Sequence, residues 1–344
     1  MGSNAELKQL IQRTSAKVSD AKSGADIDAV FKELKAFSTT NGLAFDNTGA
    51  YKASLILAVL LFFIWCVAIY AGVLSSKNSA GLLAIVMIAI ALVPLLFAAS
   101  RGTKLEELAD AIFTRDIEFD NGLVRRKVAG KKFWSELKSQ FGDFNRGDKD
   151  QEIRGLRTGR YENNGTITEY SWYAFRYVDR VTETYYDVIS KTTKTRTVDR
   201  ESLRYGLLLD TQVTGFDLCI TDDSFVSDYD AQWESALAEF NSRFNVSGRT
   251  EIEMAKFFAP AVVLAFTQLP EETLSGFCLQ IRPSGKLCLS FDDEDVLSMA
   301  RENGLTDLAA FETEISKKRR PAKLYACLKL LTTIVQFNDK NFRS

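Results

Sequence analysis

Two stretches of the chain abandon the usual alternation of apolar and polar positions. From Ala53 to about Leu74, and again from Ala80 to Ser100, no charged residue occurs, and only Ser75-Ser76-Lys77-Asn78-Ser79 separates the two runs. At about 1.5 Å per helical residue, each run is long enough to cross a hydrocarbon core of roughly 30 Å. Core helices of soluble proteins seldom go so far without a charge, so the pattern predicts a transmembrane hairpin over residues 51–100. The first run begins some fifty residues in and is too long for the apolar region of a signal peptide. So short a break forces the helices antiparallel and puts both ends of the chain on one side. Lys32, Lys35 and Lys52 precede the hairpin and Arg101, Lys104 and Arg115 follow it, against Lys77 alone in the turn. That bias assigns both termini to the cytoplasm.

Neither run holds an ionisable group, the usual mark of an ion path or proton relay, so the hairpin reads as an anchor rather than a conduit. Pro94 is expected to kink the second helix, because it removes a backbone donor. Ala68 and Gly72 form a small-xxx-small pair, suited to packing within the hairpin or to an oligomer contact.

On either side the pattern becomes that of a folded α+β protein. Residues 1–50 read as a helical cytoplasmic segment. A weak amphipathic stretch spans Leu7 to Val18, and a stronger one carries Ile27, Val30, Phe31, Leu34 and Phe37 at helical spacing. Asp26 is the expected N-cap and Gly42 the stop. Residues 101–150 form a juxtamembrane helical segment with the stripe Leu105, Leu108, Ala109, Ile112 and Phe113. Residues 151–344 form the main cytoplasmic domain. From Glu152 to Ile220 the period becomes two, with many β-formers, which predicts an antiparallel sheet. Helices are expected over Asp230 to Phe244, over Glu251 to Phe266 with an interruption at Pro260, and over Leu324 to Val335. Phe277 to Phe291 reads as a hairpin turning at Arg282-Pro283-Ser284-Gly285-Lys286. Asp292-Asp293-Glu294-Asp295 reads as an acidic start to a helix over Val296 to Arg301, with Gly304 as its stop.

Composition narrows the chemistry. Among 344 residues, 43 are basic and 45 acidic, a net charge of −2, which argues against a nucleic-acid partner. Tyr170, Trp172, Tyr173 and Phe175 interleave with Arg176 and Arg180, a pattern that cross-strand packing explains better than base stacking. There is no histidine, which excludes Ser-His-Asp and Cys-His machinery and the common histidine metal sites. The five cysteines form no C-x-x-C, and Cys278 and Cys288 are expected as packed thiols on one face of their hairpin. The Asn164 and Asn245 sequons carry no meaning on a cytoplasmic side. Ser19-Asp20-Ala21-Lys22 and Ser135-Glu136-Leu137-Lys138 match S-x-x-K at the level of chance, and no phosphate loop or nucleophile elbow occurs. The residues nominate no catalytic group, metal or cofactor.

Two basic clusters are the candidate sites: Arg125, Arg126, Lys127, Lys131 and Lys132, then Lys317, Lys318, Arg319 and Arg320. Near a bilayer, each such cation can add roughly 1 kcal/mol of attraction to anionic headgroups. The alternative is an ordinary solvated face.

The order of parts, with Phe240-Asn241-Ser242-Arg243-Phe244-Asn245-Val246 ahead of a helix ending near Pro260, resembles a bacterial membrane family, domain of unknown function 3137. Tyr205-Gly206-Leu207-Leu208-Leu209 is similar to that family's F-x-G-L-F strand. The resemblance implies a bacterial inner-membrane location and no activity. The expected function is a membrane-anchored, non-enzymatic binding or scaffold protein with a protein partner. Anionic-lipid sensing is the alternative, and a histidine-free hydrolase or a channel subunit stands behind both.

Overall fold

The computed structural model describes residues 4–70, 77–163, 165–187, 190–222, 229–270, 275–292, 296–297 and 299–338. Gly72, Ser75, Ser76, Asn164 and the acids at 293–295 lie outside the described residues. The chain is α+β and divides into two compact units, Met1–Asp116 with Ala300–Lys318, and Ile117–Met299 with Arg319–Ser344.

The first unit is helical. α1 (Asn4–Asp20) and α2 (Gly24–Asn41) bury Leu7, Leu10, Ile11 and Val18 and Ile27, Val30, Phe31 and Leu34, each set on one face. The buried Thr14 hydroxyl is satisfied by donating to the Leu10 carbonyl at 2.7 Å. Ser23, not Asp26, is the N-cap of α2. Asp26 acts from inside the first turn, accepting the Lys22 and Ser23 N–H groups at 2.8 and 3.0 Å. These bonds, with the Ser23 hydroxyl, hold its carboxyl below the usual carboxylate range. Gly42 ends the helix at φ 73°, where a side chain would be strained.

α2 packs on α9 (Leu308–Ile315) through Phe31 and Phe311, whose ring centres are 5.6 Å apart, and through Lys35–Glu312 at 2.5 Å. Buried Glu314 on α9 accepts the Glu302 and Asn303 N–H groups at 2.9 and 2.8 Å. Arg301 binds Glu106 at 2.6 Å and Asp110 at 2.9 Å. The helix expected over Val296 to Arg301 is absent among the described residues, which run irregularly to a 3-10 turn at Leu305–Asp307. Gly304 caps the start of that turn instead of stopping a helix.

α3 (Thr48–Tyr70) and α4 (Lys77–Asp120) contain two helices long and apolar enough to cross a membrane. The Ser54 hydroxyl donates to the Ala91 carbonyl at 2.6 Å, and Met87, Ala91 and Ala98 are buried. Pro94 sits inside α4, which continues through it to Asp120. Leu105, Leu108, Ala109, Ile112 and Phe113 are all buried along this continuation.

The second unit is built on an antiparallel sheet. Its strands are β1 (Val124–Arg125), β2 (Asp150–Asn163), β3 (Thr166–Asp187), β4 (Thr192–Asp210), β5 (Leu218–Thr221), β6 (Ala231–Trp233), β7 (Asn245–Gly248), β8 (Cys278–Ile281) and β9 (Lys286–Phe291). Among the described residues their order is β1-β2-β3-β4-β9-β8-β5-β7-β6. Alternation sends Trp172, Leu207, Leu289, Leu279 and Leu218 to one face, where they pack with α7 (Glu251–Phe257), α8 (Pro260–Thr267) and α10 (Ala322–Asn338). The opposite face carries Tyr173, Phe175 and Cys288 beneath α5 (Gly130–Lys138) and the 3-10 turn Gly142–Asn145.

The helix expected over Asp230 to Phe244 is instead β6 and one turn, α6 (Ala238–Asn241). Trp233 stacks on Phe258 at 4.5 Å, which holds this stretch against the core in a strand. The Asn241 side chain bonds both the N–H and the carbonyl of Ser235, replacing the ladder a helix would need.

One fully buried cation fastens this second face. Arg204 on β4 donates to Asp143 at 2.8 Å, to Asp292 at 2.5 Å and to the Gly276 carbonyl at 2.9 Å. Asp292 therefore serves a buried guanidinium, while the other acids of its run lie outside the described residues. Gly276, at φ 67°, leaves no room for a Cβ beside the Asp292 carboxylate. Asp143, itself buried, also binds Arg146 at 2.8 Å. Burial works against the charge on Arg204, but Asp143 and Asp292 outweigh it and raise its pKa above the ordinary arginine value.

Removing Arg204 leaves buried Asp143 with Arg146 alone and takes from Asp292 its partner on β4. Arg204→Met should lower the stability of the full chain in detergent by about 3–5 kcal/mol, and adding Asp143→Asn should recover at least half of that loss. Denaturant midpoints followed by tryptophan fluorescence measure both, and a double variant no more stable than the single one defeats the account.

Candidate functional site

The first basic cluster is largely committed to its own fold. Glu118, at the end of α4 and buried, binds Arg125 at 2.7 Å and Arg157 at 2.5 Å. Arg157 in turn lies over the Trp172 ring at 4.1 Å. Arg126 donates to the Thr158 hydroxyl at 3.1 Å, and Lys131 pairs with Asp150 at 3.2 Å. Lys127 and Lys132 are exposed. The second cluster is divided between the compact units, Lys317 and Lys318 in one, Arg319 and Arg320 in the other. The Arg319 N–H donates to Asp120 at 2.7 Å, and Arg320 lies over Tyr325 at 5.4 Å.

Polar chemistry also gathers on the α5 face of the sheet. Alternation places Cys219, Cys278, Gln280, Cys288 and Ser290 there, facing away from the main core. Cys278 pairs in register with Ser290 and Cys288 with Gln280, which makes the two thiols diagonal neighbours on one face. All the cysteines are free, and the Cys219 and Cys278 sulfurs are 3.9 Å apart. Hydrogen bonding to Cys219, then burial, raises the Cys278 pKa, and burial pushes Cys288 up to about 12. Such thiols stay protonated and chemically quiet. No cluster of three or more potential metal ligands exists among the described residues.

Among the hollows on the second unit, two border the sheet and its helices. One, of about 670 Å³, lies against β1 to β4 and is lined by Arg126, Thr158, Arg160, Glu169, Ser171 and Asp210. Its charges are partly spent, since Arg160 binds Glu169 at 2.7 Å. The other, of about 430 Å³, runs between α8 and α10 past Leu264, Leu269 and Leu330. Elsewhere, Arg282 binds Asp217 at 3.0 Å, and the Tyr229 hydroxyl donates to the same carboxylate. Burial, reinforced by that bond, raises the Tyr229 pKa. These groupings hold loops to strands.

The feature that exceeds the needs of the fold is a ribbon. β2 leaves β3 at Val178, and β9 joins β4 only from Tyr205. Between those limits β3 and β4 pair only with each other, from Asp179↔Arg200 to Asp187↔Thr192, in unbroken register. At about 3.3 Å per residue the ribbon is roughly 30 Å long. One face sets Asp179 against Arg200, Glu183 against Arg196 and Tyr185 against Lys194, with Asp187 diagonal to Lys194. Glu183 binds Arg200 at 2.7 Å and Arg196 at 3.0 Å, and Asp187 pairs with Lys194. The other face starts at Arg180, level with and bound to Asp199 at 3.4 Å, and continues as a ladder of threonines, Thr182 with Thr197 and Thr184 with Thr195, ending at exposed Tyr186. Period-two alternation announced these strands. That they outrun their neighbours is set by where β2 and β9 stop, and local pattern does not carry it.

No family model, no curated protein and no solved structure matches the chain.

The ribbon's carboxylates set its pH dependence. Arg200 and Arg196 hold the Glu183 carboxyl below the usual range, and Lys149 and Arg180 do the same for Asp199. A folded pKa below the unfolded one adds stability above the unfolded value of about 4, and that stability is lost as pH falls through the folded value. Hydrogen exchange of ribbon amides, corrected for intrinsic rate, should therefore be flat from about pH 5 to 8 and accelerate below about pH 4. Acceleration between pH 6 and 7 would contradict this, because the chain has no histidine.

Proposed function

We propose that this chain is a two-span protein of a bacterial inner membrane, both termini cytoplasmic, whose α+β domain is a non-enzymatic binding or scaffold module. The observation that carries the reading is the pairing of an apolar anchor with a protruding ribbon. Leu55, Ile56, Phe62 and Phe63 on α3, and Ile85, Ile88, Leu96 and Phe97 on α4, are all exposed, a surface suited to lipid and not to water. The ribbon, at about 30 Å, is larger than the core of its sheet requires and presents both faces to solvent. The excess of Lys and Arg flanking the spans supports the cytoplasmic orientation. The resemblance to domain of unknown function 3137 belongs to the same proposal, and Phe240, Phe244 and Val246, which carry it, are buried together in one cluster.

Photo-crosslinking side chains placed at Tyr186 in intact cells should give a discrete protein adduct, and placed at Asp210 in the 670 Å³ hollow should give none. The opposite result points to a ligand-binding cleft and defeats the reading. Trypsin should cut the ribbon in inverted membrane vesicles and spare it in right-side-out ones.

Lipid sensing is the weaker reading, because Arg125 and Lys131 are bound to Glu118 and Asp150. In nanodiscs of neutral or anionic lipid, tryptic cleavage after Lys127 and Lys132 should proceed at rates within about twofold. Strong protection by anionic lipid alone, reversed by salt, would reinstate it.

A further inference from the structure

We propose that the β3–β4 ribbon is a self-association element, in which the β4 edge of one copy adds to the β3 edge of the next and the sheet continues from chain to chain. The proposal deepens the scaffold reading by naming the partner of the ribbon as a second copy of the same chain.

Three observations carry it. Both edges of the ribbon are open, for among the described residues no backbone hydrogen bond ties Val181 to Tyr186 on β3, or Thr193 to Val198 on β4, to another element. On each strand, alternate N–H and C=O groups then lack a ladder partner. The ribbon's register has no bulge and its strands hold no proline, so charge, with Lys194 and Arg196 on β4, is what guards its edges against indiscriminate pairing. A lone two-stranded ribbon is marginal in water, and an added strand supplies ladder hydrogen bonds to its open edge.

The third observation, charge, chooses the arrangement. The acids Asp179, Glu183 and Asp187 lie on β3, and Arg200, Arg196 and Lys194 lie level with or beside them on β4. A β3 edge against a second β3 edge brings acid to acid, and β4 against β4 brings cation to cation. Like charges across a ladder destabilise it. Only β4 against β3 makes the sign alternate, so that a row reads Glu183, Arg196, Glu183, Arg196 across two copies. The strands then run antiparallel, as within one ribbon. The opposite face continues as a threonine ladder, Thr182–Thr197 repeated, which is a favourable cross-strand pairing. Because the two edges differ, the contact is head-to-tail and builds rings or open rows rather than a two-fold dimer. Confinement of every copy to one bilayer in one orientation raises the local concentration.

Cysteine crosslinking in membranes tests it with the full chain, using Cys66→Ala to remove the exposed thiol. Two differently tagged forms are co-expressed, one carrying Thr184→Cys and the other Thr195→Cys, both at exposed positions that the fold tolerates. Oxidation should give the mixed adduct at least tenfold above either self-adduct. Arg196→Glu in both forms should reduce it at least tenfold, and Glu183→Arg together with Arg196→Glu should restore it. Equal mixed and self-adducts, no mixed adduct, or indifference to Arg196→Glu each overturn the proposal. Loss of the mixed adduct beside a persisting adduct to another protein at Tyr186 leaves the scaffold reading standing, and loss of both removes it too.

Discussion

The second unit depends on a charge with no access to water. Arg204 is wholly buried, and its guanidinium joins β4 to the 3-10 turn through Asp143, to the loop before β8 through Gly276, and to the end of β9 through Asp292. Desolvating such a group is costly, so it is tolerated only where every donor finds a partner in good geometry. What it secures is geometry. An apolar side chain could fill the same volume, but it could not dictate where three separate chain segments meet. With that face fixed, β4 is held at its inner end, and the outer half of the same strand is free to run beyond the sheet.

The same economy of charge lessens what the first basic cluster can offer to a lipid headgroup. Arg125 and Arg157 share the buried Glu118, and Lys131 shares Asp150 with Arg176. A cation already bound to a carboxylate offers little net field to a headgroup. Proximity of basic residues in sequence says nothing of the acids that topology brings to them. Glu118 precedes Arg157 by 39 positions and Lys149 precedes Asp199 by 50.

The sequence was informative where a rule is local and uninformative where the partner is distant. The long apolar helices are legible because length alone bounds them, and the β3–β4 alternation because period two survives without knowledge of neighbours. Ile27, Val30 and Leu34 announce the buried face of α2 for the same reason. The stretch around Trp233 fails because apolar spacing in a short segment suits a helix as well as a strand. The deciding contact, with Phe258, is made by the tertiary fold. Arg204 looks in sequence like any strand arginine facing solvent, since nothing nearby reveals Asp143 or Asp292. The grouping of Ala300–Lys318 with the N-terminal helices is hidden likewise, because Arg301 meets Glu106 and Asp110 across nearly two hundred residues.

These two uses of charge, burial and display, bear on each other. Within the sheet, cations and carboxylates meet across strands and cancel, which suits a chain whose net charge is −2 despite 43 basic and 45 acidic residues. On the ribbon the cancellation is incomplete in one direction only. The Asp179–Arg200 and Glu183–Arg196 rows are neutral and the Tyr185–Lys194 and Asp187–Thr192 rows carry opposite charges, yet one edge strand is net acidic and the other net basic, so the ribbon has a transverse polarity although its sum is near zero. A neutral object with polar edges is attracted best by a copy of itself placed side by side in the same sense. Salt bridges that stabilise the ribbon within one chain thereby become the template for contacts between chains. Because screening at physiological ionic strength acts over roughly 8 Å, that template is felt only at strand-to-strand distance, which favours register over long-range capture.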